Sequence, residues 1–201
     1  MNFQCNNPSN SNILQTIREE VIECKKCNLS RTRKNAVPGE GSTQASIMFI
    51  GEAPGAKEDN TGIPFVGRAG NLLEKIFSNI PIFREDVFIT NIIKCRPPNN
   101  RNPLDIEIKS CTPYLINQIN LINPRVIVTL GKYALLHFRP TGKISEDHGK
   151  MLIWNKRILY PVYHPAAALR NKNILQSLEL DLKKIPEILL LTLSKKFKKN
   201  D

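Results

Sequence analysis

The chain has 201 residues, of which 41% are hydrophobic and 23% charged, which suits one compact domain but not two of ordinary size. Its net charge of +11 points to a polyanionic partner, nucleic acid first, although lysine enrichment for solubility would give the same balance. The first residues lack the apolar stretch of a signal peptide, and the longest apolar run, 185–193, is too short to span a membrane. We therefore expect an intracellular protein whose five cysteines serve a metal site or redox chemistry rather than disulfides.

Four apolar runs rich in β-branched residues are predicted as strands, at 46–51, 86–93, 125–131 and 157–164. Because each run is almost continuously hydrophobic, we expect both faces of these strands to be covered. Helical patterns precede, separate and follow the strands, at 12–23, 69–79, 103–123, 132–138 and 171–191. Pro103 is expected in the first turn of its helix, and Pro186 is expected to break the last one.

This alternation predicts the α/β class: an αβα sandwich with a central four-stranded parallel sheet in a single domain. We expect the domain to span 12–193, between a flexible N-terminal tail at 1–11 and a basic C-terminal tail at 194–201. In open sheets of this kind, ligands bind beyond the carboxyl ends of the strands, so those ends are the place to look for function.

Three predicted strands end in polar side chains that suit a ligand site: the carboxylate of Glu52, the amide of Asn91 and the imidazole of His164. Glu52 lies in the stretch FIGEAPGAKED, which has the apolar lead-in and glycine turn of a phosphate-binding loop. This stretch lacks the Lys-Ser/Thr pair that such a loop places on phosphate and magnesium. We therefore predict a ligand other than a nucleoside triphosphate.

Four of the five cysteines form a pattern typical of a metal centre. Cys24 and Cys27 make a C-x2-C pair, and Cys95 and Cys111 follow after 67 and 15 intervening residues. Four thiolates can bind either zinc or an iron–sulfur cluster. Structural zinc sites usually use two tight pairs, so one tight pair with two dispersed cysteines favours a cluster and leaves zinc open. Cys5 lies in a polar tail and is assigned no role.

Six motifs follow one another along the chain: C-x2-C at 24–27, AVPGEG at 36–41, GEAPGAKED at 51–59, TGIPFVGRAG at 61–70, ITNIIKCRPPNNR at 89–101 and YHPAAAL at 163–169. As an ordered set they resemble the iron–sulfur family 4 uracil-DNA glycosylases of prokaryotes, over residues 12–185. The resemblance implies a [4Fe–4S] cluster held by Cys24, Cys27, Cys95 and Cys111. It also implies a monofunctional enzyme of base excision repair that hydrolyses the N-glycosidic bond of deoxyuridine in single- or double-stranded DNA and leaves an abasic site. We expect such an enzyme to be a monomer in the prokaryotic cytoplasm, at the nucleoid.

An enzyme that removes uracil has to flip the base out of the stack and read its edge in a pocket. Asn91 suits this task, because one amide can accept from uracil N3–H and donate to O4, whereas cytosine presents the opposite pattern. By resemblance, Phe65 stacks on the ring, although a place in the core would also explain a phenylalanine. His164 is the candidate donor to uracil O2, where negative charge develops as the base leaves.

The wider superfamily often reads Gly-Gln-Asp-Pro-Tyr at the first strand end, where the acid activates water and the tyrosine excludes the methyl group of thymine. This chain reads Gly51-Glu52-Ala53-Pro54-Gly55, so alanine and glycine occupy those two positions of the pocket. Glu52 is the candidate for polarising water or stabilising the cationic sugar, with orientation of the loop as the alternative. Glu58 is the candidate wall against the 5-methyl group.

DNA would be held by basic and glycine-rich loops, whose backbone N–H groups and arginines suit phosphates. The candidate residues are Gly39, Gly41, Ser42, Asn100, Arg101, Leu169 and Arg170, together with the segment 94–96. Leu169 is expected either to wedge into the vacated stack or to pack at the start of a helix. A sliding clamp is a further candidate partner, although the sequence contains no convincing clamp-binding peptide.

Two other functions fit parts of this pattern. The enzymatic alternative is a related glycosylase acting on thymine in G·T mismatches or on hypoxanthine, and hypoxanthine lacks the edge that Asn91 would read. The other alternative is a non-catalytic DNA-binding module that uses an iron–sulfur or zinc site for folding. Polar groups at three separate strand ends argue against this module.

Overall fold

The computed structural model describes residues 9–194; Cys5 and the basic residues from 195 onward lie outside them. A sheet contains the strands β1 (Glu40–Gly41), β2 (Ile47–Gly51), β3 (Phe88–Asn91), β4 (Val126–Leu130), β5 (Leu152–Trp154) and β6 (Arg157–Val162). The helices are α1 (Asn10–Glu23), α2 (Ala56–Thr61), α3 (Arg68–Phe77), α4 (Asp105–Ile122), α5 (Lys132–Phe138), α6 (Ile144–Asp147), α7 (Pro165–Ala168), α8 (Lys172–Lys183) and α9 (Ile185–Leu193).

The strands are ordered β1-β3-β2-β4-β6-β5, and the four inner strands are parallel, as predicted. The sheet as a whole is mixed, which corrects the prediction of four parallel strands alone, because β1 and β5 pair antiparallel at its two edges. These edge strands are only two and three residues long, too short to give a sequence pattern. A tight turn joins β5 to β6, with Asn155 and Lys156 at φ angles of 44° and 63°.

The predicted αβα sandwich is confirmed by two apolar clusters, one on each face of the sheet. Phe49 packs with residues of α3, α8 and α9 on one face. Its neighbours along β2, Met48 and Ile50, pack with residues of α4 and α5 on the other. Since successive side chains of a strand point to opposite faces, both faces of β2 are covered by helices. This covering explains the almost uninterrupted apolar runs in the sequence.

The helices differ from the predicted ones mainly at their ends. Pro103 lies outside α4, which begins at Asp105, and the Glu107 carboxylate accepts a hydrogen bond from the Leu104 N–H at 2.8 Å. The predicted C-terminal helix is broken into α8 and α9, with Pro186 in the first turn of α9, where its missing N–H costs nothing. Between residues 9 and 194, no helix has the length and apolar character needed to cross a bilayer.

The parallel strands place their carboxyl ends at one edge of the sheet. Gly51, the last residue of β2, is paired in register with Asn91, the last residue of β3. On the other side of β2, the Gly131 N–H after β4 donates to the Val162 carbonyl at the end of β6, two residues before His164. The three polar strand ends therefore meet on one side of the fold.

Candidate active site

Asn91 and Phe65 converge on Gly51. A Cβ atom added to Gly51 would lie 2.5 Å from Asn91 Oδ1 and 2.5 Å from Phe65 Cζ, so only glycine leaves both side chains in place. The Phe65 ring lies 6.0 Å from the His164 ring between centroids, at an interplanar angle of 34°. An amide, an aromatic face and an imidazole therefore border one small space at the carboxyl ends of β2, β3 and β6.

The side-chain oxygen of Asn91 has no hydrogen-bond partner within the described residues, although it is buried. The whole residue is 1% exposed, so solvent has almost no access to it. Leaving a buried acceptor unpaired costs about 1–3 kcal/mol. A carbonyl oxygen kept unpaired beside an aromatic ring suits a ligand that brings its own N–H donor.

His164 is held in a defined orientation by the turn that follows it. The Ala166 N–H donates to His164 Nδ1 at 3.0 Å, where His164 is the N-terminal cap of α7. Burial lowers the pKa of His164 to about 4, and the nearby carboxylate of Glu58 only partly opposes this shift. The imidazole is therefore neutral at pH 7, and since Nδ1 accepts a hydrogen bond, the ring proton is on Nε2.

The carboxylate of Glu58 is engaged by the backbone that carries Phe65. Its Oε1 atom accepts hydrogen bonds from the N–H groups of Val66 at 3.0 Å and Gly67 at 2.7 Å. Phe65 has a φ angle of 51°, a left-handed conformation that costs a bulky residue about 1–3 kcal/mol. Glu58 stabilises the turn that presents the Phe65 ring, and its predicted contact with a 5-methyl group stays a prediction.

Glu52 and Ala53 follow β2 directly and are both half-buried. Burial raises the pKa of the Glu52 carboxyl, which makes this group more basic than a carboxylate in water. The Glu52 carbonyl accepts from the Ile93 N–H at 3.2 Å, and Ala53 packs against the apolar cluster on the α4 face. The loop is thus fixed by its backbone, which leaves the Glu52 side chain available for chemistry.

The four candidate ligand cysteines line one pocket, which also contains Arg33, Lys94 and Tyr114. Three N–H groups point at their sulfurs: Arg33 Nη1–H at 2.9 Å from Cys95 Sγ, the Lys94 amide at 3.4 Å from Cys111 Sγ, and the Lys26 amide at 3.5 Å from Cys24 Sγ. Burial raises the pKa of Cys95 to about 11 against the hydrogen bond and charge of Arg33, and it also raises the pKa of Cys111. In residues 9–194, no group of three or more Cys, His, Asp or Glu is arranged to hold a single metal ion.

The candidate DNA-holding residues lie in loops of different character. Gly39 and Gly41 have φ angles of 123° and 128°, and a Cβ atom at Gly41 would lie 1.9 Å from the Val87 carbonyl oxygen. These glycines therefore allow their loop, which continues into Ser42, to lie close to β3. Leu169 is 41% exposed at the end of α7, and Arg170 is exposed beside it.

The loop after Cys95 uses its polar groups internally. The Arg101 guanidinium donates to both carboxylate oxygens of Glu107, at 2.9 and 2.6 Å, and Asn100 Oδ1 accepts from Arg96 Nε at 2.8 Å. Lys94, which the sequence suggested as part of a DNA-holding segment, is 1% exposed and cannot contact phosphate. This prediction was wrong, because the Lys94 side chain turns into the protein between β3 and α4.

Sequence reasoning missed several residues around the site. Arg33 was not predicted as a donor to Cys95, since the two are 62 positions apart and no local pattern connects them. The ring of Tyr163, next to His164, lies 4.5 Å from the ring of His148, and His148 Nδ1 is 2.7 Å from Asp181 Oδ2. Arg33 and His148 lie outside the six motifs and outside the predicted helices and strands, so the only signal that the sequence gave for them was their residue type.

Comparisons of the sequence with known proteins give matches over most of the chain. The family model described as the uracil DNA glycosylase superfamily matches residues 38–184. The chain is 51% identical to the type-4 uracil-DNA glycosylase of Sulfurisphaera tokodaii, covering 87% of this chain and 84% of that protein. It is 50% identical to the Saccharolobus solfataricus type-4 uracil-DNA glycosylase (88% and 86% covered) and 42% identical to that of Archaeoglobus fulgidus (87% and 92% covered).

Proposed function

The chain belongs to the uracil-DNA glycosylase superfamily, and from this premise we propose that it is a type-4 uracil-DNA glycosylase. In this proposal it flips uracil out of DNA and hydrolyses the N-glycosidic bond, leaving an abasic site for base excision repair. The proposed catalytic domain spans 12–193, since α1 packs on α4 and leads into Cys24. Its monomeric state, a clamp contact and a nucleoid location stay predictions.

The unpaired Asn91 Oδ1 is the observation that carries this proposal. Uracil has an N–H at N3 that can donate to this oxygen, and its O4 can accept from the Asn91 amide nitrogen. Cytosine has an acceptor at N3 and an amino group at C4. The Asn91 oxygen would therefore face another acceptor, and the Asn91 amide nitrogen would face another donor. A site built around such a pair rejects the wrong base strongly, because its buried polar groups would stay unpaired.

The neighbouring groups suit the bond-breaking step. When the C1′–N1 bond breaks, its electron pair moves onto uracil and the sugar becomes an oxocarbenium-like cation. In our proposal Phe65 stacks on the base and His164 donates its Nε2 proton in a hydrogen bond to uracil O2, where the negative charge develops. A neutral imidazole fixed by the Ala166 N–H is already oriented for this donation.

Water then forms the new bond to C1′, and the proton that it loses balances the charge of the departing uracil anion, which leaves as neutral uracil. Glu52 is our candidate for orienting this water and for stabilising the cationic sugar, because burial raises the pKa of its carboxyl. Ala53 offers no acid at the next position, so a weakly assisted attack on an already formed cation fits the residues present. Glu58 is proposed to border the 5-methyl position while it holds the turn of Phe65.

We propose that DNA contacts three loops, at residues 39–42, 100–101 and 169–170. The loop of Gly39, Gly41 and Ser42 is proposed to contact phosphate through the glycine N–H groups and the Ser42 hydroxyl, because the Ser42 N–H already donates to the Val87 carbonyl at 3.1 Å. Exposed Arg170 is proposed to contact phosphate through its charge. Leu169 is a candidate wedge, since an exposed leucine beside the pocket can fill the space of a flipped base. Asn100 and Arg101 are proposed to act through the shape of their loop, because Arg101 is paired with Glu107.

Cys24, Cys27, Cys95 and Cys111 are proposed to hold a [4Fe–4S] cluster. Four sulfurs share one pocket and three of them accept N–H donors, as the thiolates of iron–sulfur proteins do. We propose a cluster rather than zinc because the sequence has one tight C-x2-C pair and two dispersed cysteines, whereas structural zinc sites usually use two tight pairs. When bound, the cluster would supply a cross-link between the end of α1, the loop after β3 and α4.

The cluster and its Arg33 donor can be tested together. The purified protein should show broad absorbance at about 400 nm.

Replacing Arg33 with glutamine removes the donor to Cys95 and the contacts that Arg33 makes with the carbonyl oxygens of residues 21, 22 and 24. We expect chelator to bleach this variant about tenfold faster than the wild type, the scale of a lost contact to a metal ligand. Arg31→Gln, at an exposed neighbouring position, is the matched control. Equal rates of bleaching in the Arg33→Gln variant and the wild type would mean that Arg33 does not stabilise the cluster. Purified protein that contains zinc in place of iron would refute the cluster itself.

A strand-cleavage assay tests the function itself. A labelled oligonucleotide with one uracil is incubated with the protein and then treated with alkali, which breaks DNA at abasic sites. We expect cleavage at uracil and no cleavage of matched strands carrying cytosine, thymine or hypoxanthine. Cleavage at thymine in a G·T pair or at hypoxanthine would favour the broader glycosylase, and intact uracil strands would favour a non-catalytic DNA-binding module.

A further inference from the structure

Lys94 is a fully buried lysine that the proposed chemistry does not use. It is 1% exposed, and lysines are almost never buried to that extent unless they are paired. Its Nζ atom donates to Thr90 Oγ1 at 2.5 Å, Asn91 O at 2.9 Å and Gln118 Oε1 at 2.7 Å. An ammonium has three N–H donors, so these three neutral oxygens satisfy it completely.

The acceptors are themselves fixed by further hydrogen bonds. The Thr90 hydroxyl donates to the Pro38 carbonyl at 3.0 Å, and Gln118 Nε2 donates to the same carbonyl at 2.7 Å. Each donor in this network therefore has an acceptor, and the directions of the bonds are consistent only when Lys94 donates. The network joins the end of β3, helix α4 and the segment that leads into Gly39.

The same residue borders the cysteine pocket through its backbone. The Lys94 N–H lies 3.4 Å from Cys111 Sγ, its carbonyl accepts from the Val37 N–H at 2.7 Å, and Cys95 is the next residue. Its side chain meanwhile reaches back to the carbonyl of Asn91, three residues earlier. Lys94 thus connects the wall of the cysteine pocket to the residue that reads the base.

Building on the function proposed above, we propose that Lys94 is a positioning residue that fixes the Asn91 end of β3 for uracil recognition. If position 94 only had to fill space in the core, methionine would serve, because it has a similar volume and avoids burying a charge. By anchoring the backbone carbonyl of Asn91, the ammonium fixes the place from which the unpaired Oδ1 points into the pocket. A displacement of about 1 Å at such a group can lower a rate about 100-fold.

The test uses Lys94→Met in cluster-loaded protein, with loading checked by absorbance. We expect inhibition by free uracil to weaken about tenfold and uracil release from DNA to slow by a similar factor. Affinity for an undamaged strand of the same length should stay unchanged. Ile119→Val, at a buried α4 position that takes no part in the network, is the matched control for a loss of core packing.

A double-mutant cycle separates positioning from general stabilisation. If Lys94 acts through Asn91, Lys94→Met should have no further effect on uracil release when Asn91 is already alanine. A full additional loss in that background, or equal weakening of uracil and undamaged DNA, would overturn the proposal. Thr90→Val removes one acceptor of Lys94 together with the donor to the Pro38 carbonyl, while keeping the shape of the side chain. This variant decides the question if Lys94→Met does not fold. If the wild-type protein is not inhibited by free uracil and releases no uracil from DNA, the result refutes the proposed function instead.

Discussion

Replacing His164 with alanine is expected to slow uracil release by about 100- to 1,000-fold in single-turnover assays, the usual effect of losing one donor to a developing anion. The donor acts mainly in the transition state, because uracil O2 carries most charge once the C1′–N1 bond is breaking. Affinity for uracil-containing DNA should therefore fall much less than the rate. Rapid-quench measurement with enzyme in excess gives the rate, and fluorescence anisotropy gives the affinity.

His137→Ala is the matched control for this variant, since His137 is a partly buried histidine on α5 whose ring contacts Phe138 and not Phe65. It should keep nearly the full rate of uracil release. Equal losses of rate and DNA affinity in His164→Ala would show that His164 binds DNA and does not stabilise the leaving base.

The pH dependence of the wild type gives an independent check on the state of His164. Because burial lowers its pKa to about 4, the neutral donor persists from pH 8 down to well below the ordinary histidine pKa of about 6.5. The folded state binds fewer protons than the unfolded state between these two values, so the stability from neutral His164 is complete above pH 6.5 and is lost as pH falls toward 4. An acid limb of the single-turnover rate near pH 6.5 that disappears in His164→Ala would show that the imidazole titrates normally.

Much of the fold could be predicted because its strands are buried on both faces. The runs that became β2, β3, β4 and β6 are almost continuously apolar, and α5 was predicted with its observed bounds of 132 and 138. The edge strands β1 and β5 escaped because two or three residues give no periodicity, and Ile153 in β5 is 66% exposed. Pairing at the edges is decided by neighbouring strands and turns, which local patterns do not record.

The site could be predicted to the level of residue type but not of contacts. Glu52, Asn91 and His164 stood at strand ends in the sequence, and parallel strands bring such ends together. No pattern showed that Glu58 binds the amides of Val66 and Gly67. The inward direction of the Lys94 side chain could not be predicted either, because a lysine beside a cysteine motif is usually a surface cation. Its three buried acceptors are known only from the structure.

Replacing Asn91 with aspartate is expected to reverse part of the base selectivity. The carboxyl would lie in a buried place, where desolvation favours its protonated form. A protonated carboxyl can donate to cytosine N3 and accept from the cytosine amino group, and with the proton on its other oxygen it can donate to uracil O4 and accept from uracil N3–H. We therefore expect cytosine release to become measurable while uracil release continues, so that discrimination between the two bases falls by several powers of ten.

The experiment compares strands that differ only in uracil or cytosine at one position, with alkali cleavage as the readout. Asn91→Ala is the matched control, since it removes both polar contacts and should lower uracil release without giving cytosine release. The Asn91→Asp variant should lose more activity as pH rises, because ionisation of the new carboxyl removes its donor and buries a charge next to the base. Cytosine left intact at every pH, with uracil selectivity unchanged, would mean that Asn91 does not read the edge of the base. The unpaired Oδ1 would then need a partner other than uracil N3–H.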